Sequence, residues 1–135
     1  MHLKTLGISE HNNREWAVEF NDKFAREIRA FPEIIQDALF AQLIKLRQFG
    51  PQLGRPDVDT MKGSRHPNMK ELRFRVANEV WRVAFAFDPR RRAILLAGGS
   101  KSGISKERFY KNLIREADGR FEGHLATITK EWKKE

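Results

Sequence analysis

Glu71, Arg73, Arg75 and Arg82 are the residues of this chain whose types and spacing can do chemistry together. In KELRFRV, Lys70 to Val76, successive side chains of a strand point to opposite faces. Leu72, Phe74 and Val76 therefore share one face, and Glu71, Arg73 and Arg75 share the other. In WRVAFAF, Trp81 to Phe87, the same alternation turns Trp81, Val83, Phe85 and Phe87 toward a core and leaves Arg82, Ala84 and Ala86 opposite. Two strands joined by the Ala77-Asn78 turn then present one wall of carboxylate and guanidinium floored by alanines. A carboxylate can accept a proton, and guanidiniums can hold a phosphate and offset charge that grows on it.

The charge of the chain concentrates around that wall. The net charge is +8 and the isoelectric point about 10.1. From Lys62 to Arg115 fourteen Lys and Arg stand against four Asp and Glu, while the remainder carries twelve against fourteen. Lysines scattered over a solvated surface would also make a protein basic. A surplus confined to the segment with the cleanest strand pattern is instead the footprint of a surface that meets a polyanion.

The elements that must position these residues follow from periodicity and end signals. WAVEF, Trp16 to Phe20, alternates as an opening strand. NDKFAREIRA is a short helix capped by Asn21 or Asp22, with Phe24, Ile28 and Phe31 on one side. The helix beginning at Pro32 carries Ile35, Leu39, Leu43, Leu46 and Phe49 as an apolar stripe and stops at Gly50-Pro51. QLGRPDVDTMKGSRHP has little periodicity and is expected to be an ordered loop. After the two alternating strands, Asp88-Pro89 turns the chain into RRRAILLAGG, an apolar run suited to a strand covered on both faces, with Arg90, Arg91 and Arg92 after the turn expected to meet backbone phosphates or only solvent. Ser105 can cap a final helix with Phe109, Leu113, Ala117, Phe121 and Leu125 on its inner stripe, weakened in its second half by Gly119 and Gly123. The expected class is α+β. An antiparallel-rich twisted sheet of one N-terminal strand and a three-stranded meander packs on two N-terminal helices, with a helix at the C-terminal end.

Composition narrows the class further. A chain of 135 residues, 40% of them apolar, is expected to form one domain, residues 16–135, behind a leader of residues 1–15. There is no cysteine, the opening residues contain no apolar signal core, and no run approaches a membrane span, so a cytoplasmic protein without membrane contact is expected. His and Cys have no metal-ligand spacing, and AGGSKSG lacks the strand, loop and helix spacing of a nucleotide cradle. His124 reads as a capping or core-edge residue, His66 as a loop residue able to touch a ligand, and His2 and His11 as parts of the leader.

The order of elements, together with GPQLGRPDVDTMKGSRHPNMKELR, WRVAFAFDPRRRAILLAGGSKSG and RFYKNLIREAD, resembles the phage-derived, HigB-like branch of the RelE/ParE toxin superfamily from about Trp16 to Leu125. Several separated motifs in the right order carry the resemblance; any one alone is weak. It implies a RelE-like fold and the toxin of a type II toxin–antitoxin module. By resemblance the protein is an endoribonuclease, an mRNA interferase that cuts messenger RNA on the ribosome without metal or other cofactor. Its implied partners are mRNA, the ribosome and a cognate antitoxin of helix-turn-helix type, through which the complex would bind its own operator DNA.

By the same resemblance, Arg73 and Arg82 match the strand arginines that hold the phosphate, Lys101 matches the cation of the loop after the last strand, and Tyr110 matches the tyrosine of the terminal helix. Glu71 stands where the RelE type often has lysine, and Ser100 replaces the acid often found before Lys101. The expected catalytic set is Glu71, Arg73, Arg82, Lys101 and Tyr110. Arg65, His66, Lys70, Arg75, Lys106 and Arg108 are the expected RNA-binding residues. Glu71 serves either as proton acceptor or as the partner that orients Arg73 or Arg82, and the residues alone leave the two open. Two other functions fit the sequence less well: a ParE-like inhibitor of DNA gyrase, which typically lacks this clustered set, and a non-catalytic RNA-binding domain, for which the basic face alone would suffice.

Overall fold

The computed structural model describes residues 15–134, and the N-terminal leader expected at residues 1–15 lies, but for Glu15, outside the described residues, as do His2 and His11. The chain runs β1 (Val18–Phe20), α1 (Asp22–Arg29), α2 (Glu33–Phe49), β2 (Val58–Thr60), β3 (Lys70–Val76), β4 (Glu79–Phe87), β5 (Ala93–Ser100) and α3 (Lys106–Lys134). The five strands lie in the order β1-β5-β4-β3-β2. Among the described residues only β1 and β5 are parallel; β2 through β5 pair as antiparallel neighbours. The class is α+β as expected, and its arrangement agrees with a RelE-like fold.

Local chemistry explains the helices. The Asn21 side chain accepts hydrogen bonds from the N–H groups of Lys23 and Phe24, which start α1. Pro32 stands at the boundary of α2. At the other end Gly50 has φ 55° and lies flat against the Trp16 indole, where no side chain fits. The Ser105 hydroxyl accepts from the Arg108 N–H and caps α3.

Helices cover both faces of the sheet. On one face α1 and α2 bury Phe24, Ile28, Leu39, Leu43 and Leu46 against Leu72, Val83, Phe85 and Leu95. Leu39 and Leu46 are fully buried, each contributing about 1.5–3 kcal/mol by leaving water. On the other face α3 buries Phe109, Leu113, Ala117 and Phe121 against Ala84, Ala86, Ile94 and Leu96. β5 is covered on both sides. A register shift against β4, pairing Ala84 with Ala97 but Phe85 with Leu95, breaks its alternation and leaves Leu96 and Ala97 on the same side.

Four features differ from the sequence expectations. The segment read as a loop contains β2, a three-residue edge strand held by β3, too short for periodicity to reveal. The terminal helix runs unbroken through Gly119 and Gly123 to Lys134, because the apolar stripe on its inner face, ending at the buried Ile128, outweighs the poor helix propensity of two glycines. The alanines are no floor for solvent: Ala84 and Ala86 are wholly buried beneath α3, whose small partners let the helix lie close. Arg90, Arg91 and Arg92, expected to meet backbone phosphates or solvent, are engaged within the molecule. Arg90 pairs with Glu131 at 2.9 Å, the Arg91 guanidinium lies 4.7 Å from the centre of the Trp16 ring, and Arg92 pairs with Asp88 and Glu19.

Candidate functional site

β3 and β4 set the register of the site. Arg73 stands opposite Arg82, and Glu71 opposite Ala84, on the face that α3 covers. The helix reaches that face with Tyr110 one turn beyond its start, while the outer ends of the two strands extend past it. What remains open is a cleft of about 540 Å³ whose lining includes Arg73, Arg75, Arg82, Lys106 and Tyr110, with Pro56 and Asp57 on the β2 side. Lys106 and Tyr110 are four residues apart on α3 and so share a helix face.

Glu71 organises the cleft from beneath. It is only 3% exposed, and both carboxylate oxygens are engaged. The Tyr110 hydroxyl donates to Oε1 at 2.7 Å, and Arg73 Nη2 donates to Oε2 at 2.9 Å. Arg82 Nε lies 3.8 Å from Oε1, and its guanidinium sits 5.6 Å from the centre of the Tyr110 ring and 5.8 Å from that of Phe109. Among the described residues the buried Nε–H groups of Arg73 and Arg82 find no hydrogen-bond acceptor. Buried guanidinium donors without a protein partner are costly unless an anion completes them.

The charges respond to this packing. Burial pushes the Tyr110 phenol above its ordinary range and the Glu71 carboxylate pushes it further, against the opposing pull of Arg82 and Arg73. Tyr110 is therefore protonated near neutral pH and acts as a donor to Glu71. Burial alone would lower Arg73, but its bond to Glu71 outweighs that and holds the guanidinium above its usual value.

The other expected residues separate by location. Arg75 is exposed in the lining of the cleft. Lys101 is exposed in the loop after β5 and lies outside the cleft, in a smaller hollow that shares Arg82 with it. Lys70 opens β3 opposite Thr60, beside Arg55 and Asp59 in a shallow hollow of its own. Arg108 is exposed in the first turn of α3. Arg65 and His66 are drawn to a later part of that helix. Arg65 donates its N–H to Asp118 at 3.0 Å and pairs with Glu122 at 2.9 Å, while the His66 ring meets the Phe121 ring edge-on at 5.0 Å. Asp118 is eight residues beyond Tyr110, about 12 Å along the helix. His124 is the core-edge residue expected, bonded to Asp88 at 2.8 Å.

Gln42 and the β2 segment were missed. The buried Gln42 amide donates to the Arg73 carbonyl at 2.8 Å and to Asp57 at 3.1 Å, and the Arg73 N–H donates to the Asp57 carbonyl at 2.7 Å. Asp59 lies 3.8 Å from Arg73 Nη2. Arg73 is thus braced in backbone and side chain. The available signal was a polar residue at position 42 within the stripe of Ile35, Leu39 and Leu46.

A larger groove of about 730 Å³ lies between the β1–α1 corner and the middle of α3, lined by charges of both signs, and includes none of the expected site residues.

Comparison with known proteins places the chain in a family. The family described as "Phage derived protein Gp49-like (DUF891)" matches residues 26–122. A Mycobacterium tuberculosis protein named "Putative toxin HigB2" is 49% identical over 92 residues, 67% of this chain and 45% of that protein. Another from the same organism, "Putative toxin HigB3", is 52% identical over 82 residues, 61% of this chain and 69% of that protein. The chain thus spans under half the length of the first relative and about two thirds of the second. No solved structure matches the chain significantly. The matched span runs from the middle of α1 to the middle of α3 and holds all the residues of the cleft, and the chain belongs to the phage-derived Gp49-like family.

Proposed function

We propose that this protein is the toxin of a type II toxin–antitoxin module and an endoribonuclease that cuts mRNA on the ribosome. The observation that carries the reading is the buried Glu71 joined to Tyr110 and Arg73 at the base of a cleft lined by Arg73, Arg75, Arg82 and Lys106. The toxin names of the two relatives support it.

The cleft suits cleavage by the RNA's own 2′-hydroxyl. Its oxygen attacks the adjacent phosphorus while its proton passes to Tyr110 Oη, and Tyr110 hands its own proton to Glu71 Oε1. The 2′-O–P bond forms, the P–O5′ bond breaks, and O5′ takes a proton from Lys106. The products are a 2′,3′-cyclic phosphate and a 5′-hydroxyl end; Glu71 then gives its proton up to solvent through Tyr110, and Lys106 takes one back. Arg73 and Arg82 hold the phosphate and offset the charge that develops on it. In this scheme Glu71 is a positioning residue that receives the proton through Tyr110. The cognate antitoxin, of helix-turn-helix type, blocks entry to the ribosome, and the pair binds its own operator DNA.

Mapping RNA 5′ ends after a short pulse of expression tests this reading. New 5′-hydroxyl ends within translated messages, absent for Arg82→Ala, are expected. Gyrase-dependent DNA breaks with intact mRNA would mean a gyrase inhibitor, and salt-dependent RNA binding without new ends would mean a binding domain.

A further inference from the structure

Beside the cleft lies a second hollow, of about 290 Å³, where β4 begins and β5 ends. The pairing of Trp81 with Ser100 brings the strand ends side by side, so Asn78 and Glu79 face Ser100, Lys101 and Ser102. Val80 and Arg82 line both spaces, so the hollow borders the cleft at the residue assigned to the phosphate. Among the described residues neither Glu79 nor Lys101 has an ion-pair partner, unlike most charged groups around Arg73 and Arg92. The hairpin tip that presents Asn78 and Glu79 is strained: Ala77 has φ 55°, a left-handed conformation that favours glycine.

The chemistry of this hollow differs from that of the cleft. Glu79 would repel a phosphate, so a second backbone phosphate is a poor occupant. A carboxylate, an ammonium, an amide and two hydroxyls around a small space suit the polar edge of a neutral ring. A carboxylate binds best to two adjacent N–H donors. Among the four RNA bases guanine alone presents such a pair, N1–H and the N2 amino group, next to an O6 acceptor that suits Lys101 or Asn78. Adenine and cytosine set a single amino group beside acceptors, and uracil flanks its one N–H with two carbonyls. A base next to a phosphate held at Arg82 is within reach of the hollow.

We infer that the hollow between the β3–β4 hairpin and the loop after β5 is a base-reading subsite for guanine in single-stranded RNA, with Glu79 as the specificity-determining residue and Lys101 as its donor partner. The inference rests on the ribonuclease reading and deepens it: Arg82 holds the phosphate, and Glu79 selects which nucleotide lies beside it. It gives Lys101 a role in recognition, apart from Tyr110 and Glu71.

Equilibrium binding of 2′-O-methyl pentanucleotides to the full chain tests it, because these ligands cannot be cut. Guanine, inosine, adenine, cytosine or uracil is placed at each position in turn. At one position guanine is expected to bind roughly tenfold or more tightly than adenine or uracil, the scale of a bidentate base contact. Inosine, which lacks the N2 amino group, should fall between. Glu79→Gln should bring the guanine oligonucleotide down toward the adenine one, and Lys101→Ala should weaken the same oligonucleotide. Equal affinity for all bases at every position, or a guanine preference unchanged in Glu79→Gln, overturns the subsite. Guanosine monophosphate binding as tightly as the oligonucleotide overturns it in favour of a free-nucleotide site. A guanine preference in a protein that leaves ribosome-bound mRNA intact would sink the ribonuclease reading and leave the base-reading subsite standing.

Discussion

Glu71 holds Tyr110 and Arg73 with its two oxygens and keeps Arg82 within 3.8 Å, so one buried carboxylate sets the positions of three side chains. Loss of any one of them should act mainly on the reacting phosphate. Tyr110→Phe removes the hydroxyl in the proposed proton path, and Arg82→Ala removes a preorganised charge. Each is expected to lower the single-turnover rate on ribosome-bound mRNA by roughly a hundredfold or more, the scale of losing an aimed donor. Affinity should fall only modestly, and thermal melting should show both variants folded. Normal cutting by Arg82→Ala would make the cleft a docking surface.

At the scale of the element, the β4–β5 turn is tied to the terminal helix through Asp88. This carboxylate is buried, accepts the N–H groups of Arg90 and Arg92 at 2.9 Å, and bonds His124 at 2.8 Å. Burial pushes its pKa up, but the His124 bond and the Arg92 contacts prevail and hold it below the usual carboxylate range. Its contribution to stability is therefore complete above the unfolded carboxyl value, about pH 4, and is lost as pH falls through the lower folded value. Asp88→Asn should cost about 2 kcal/mol at neutral pH, and its stability should fall less steeply than the parent's on acidification. Denaturant midpoints measured from pH 7 down to pH 2 check both. In α3, an added Cβ at Gly119 or Gly123 meets nothing within 4 Å. Gly119→Ala and Gly123→Ala should each therefore raise stability by about 0.5–1 kcal/mol, the helix-propensity difference, in chemical denaturation.

For the whole molecule, the proposed contact with RNA rests on the distribution of charge. Three cationic side chains besides Arg73 line a cleft open to solvent, and the Lys62–Arg115 segment carries the charge surplus of the chain. A small basic domain of this kind suits docking on ribosomal RNA, where the ribosome presents and bends the message. Cleavage of ribosome-bound mRNA is expected to be fast and that of the same naked RNA weak, with binding that declines as salt rises. Equal rates on both substrates, measured side by side, would remove ribosome dependence from the reading. Neutralising Arg92 should not report on RNA binding alone, because its guanidinium also holds Asp88 and Glu19.

Local patterns were enough to determine the α+β class, the order of the elements other than β2, the cap at Asn21 and the stop at Gly50. They also put Glu71, Arg73 and Arg82 on one face, because strand alternation and end signals are properties of neighbouring residues. They could not tell what covers that face. The alternating alanines are compatible with an open floor or a packed helix, and only the placement of α3 decided that Ala84 and Ala86 are buried and that Tyr110 bonds Glu71. The partition of the cations was likewise tertiary. Arg65, Arg90 and Arg92 resemble Arg75 and Lys106 in sequence, but the first three meet Glu122, Glu131 and Asp88 across the fold, whereas the last two line the cleft. Charge periodicity says which way a side chain points; whether an acid or open solvent waits there depends on elements distant in the chain.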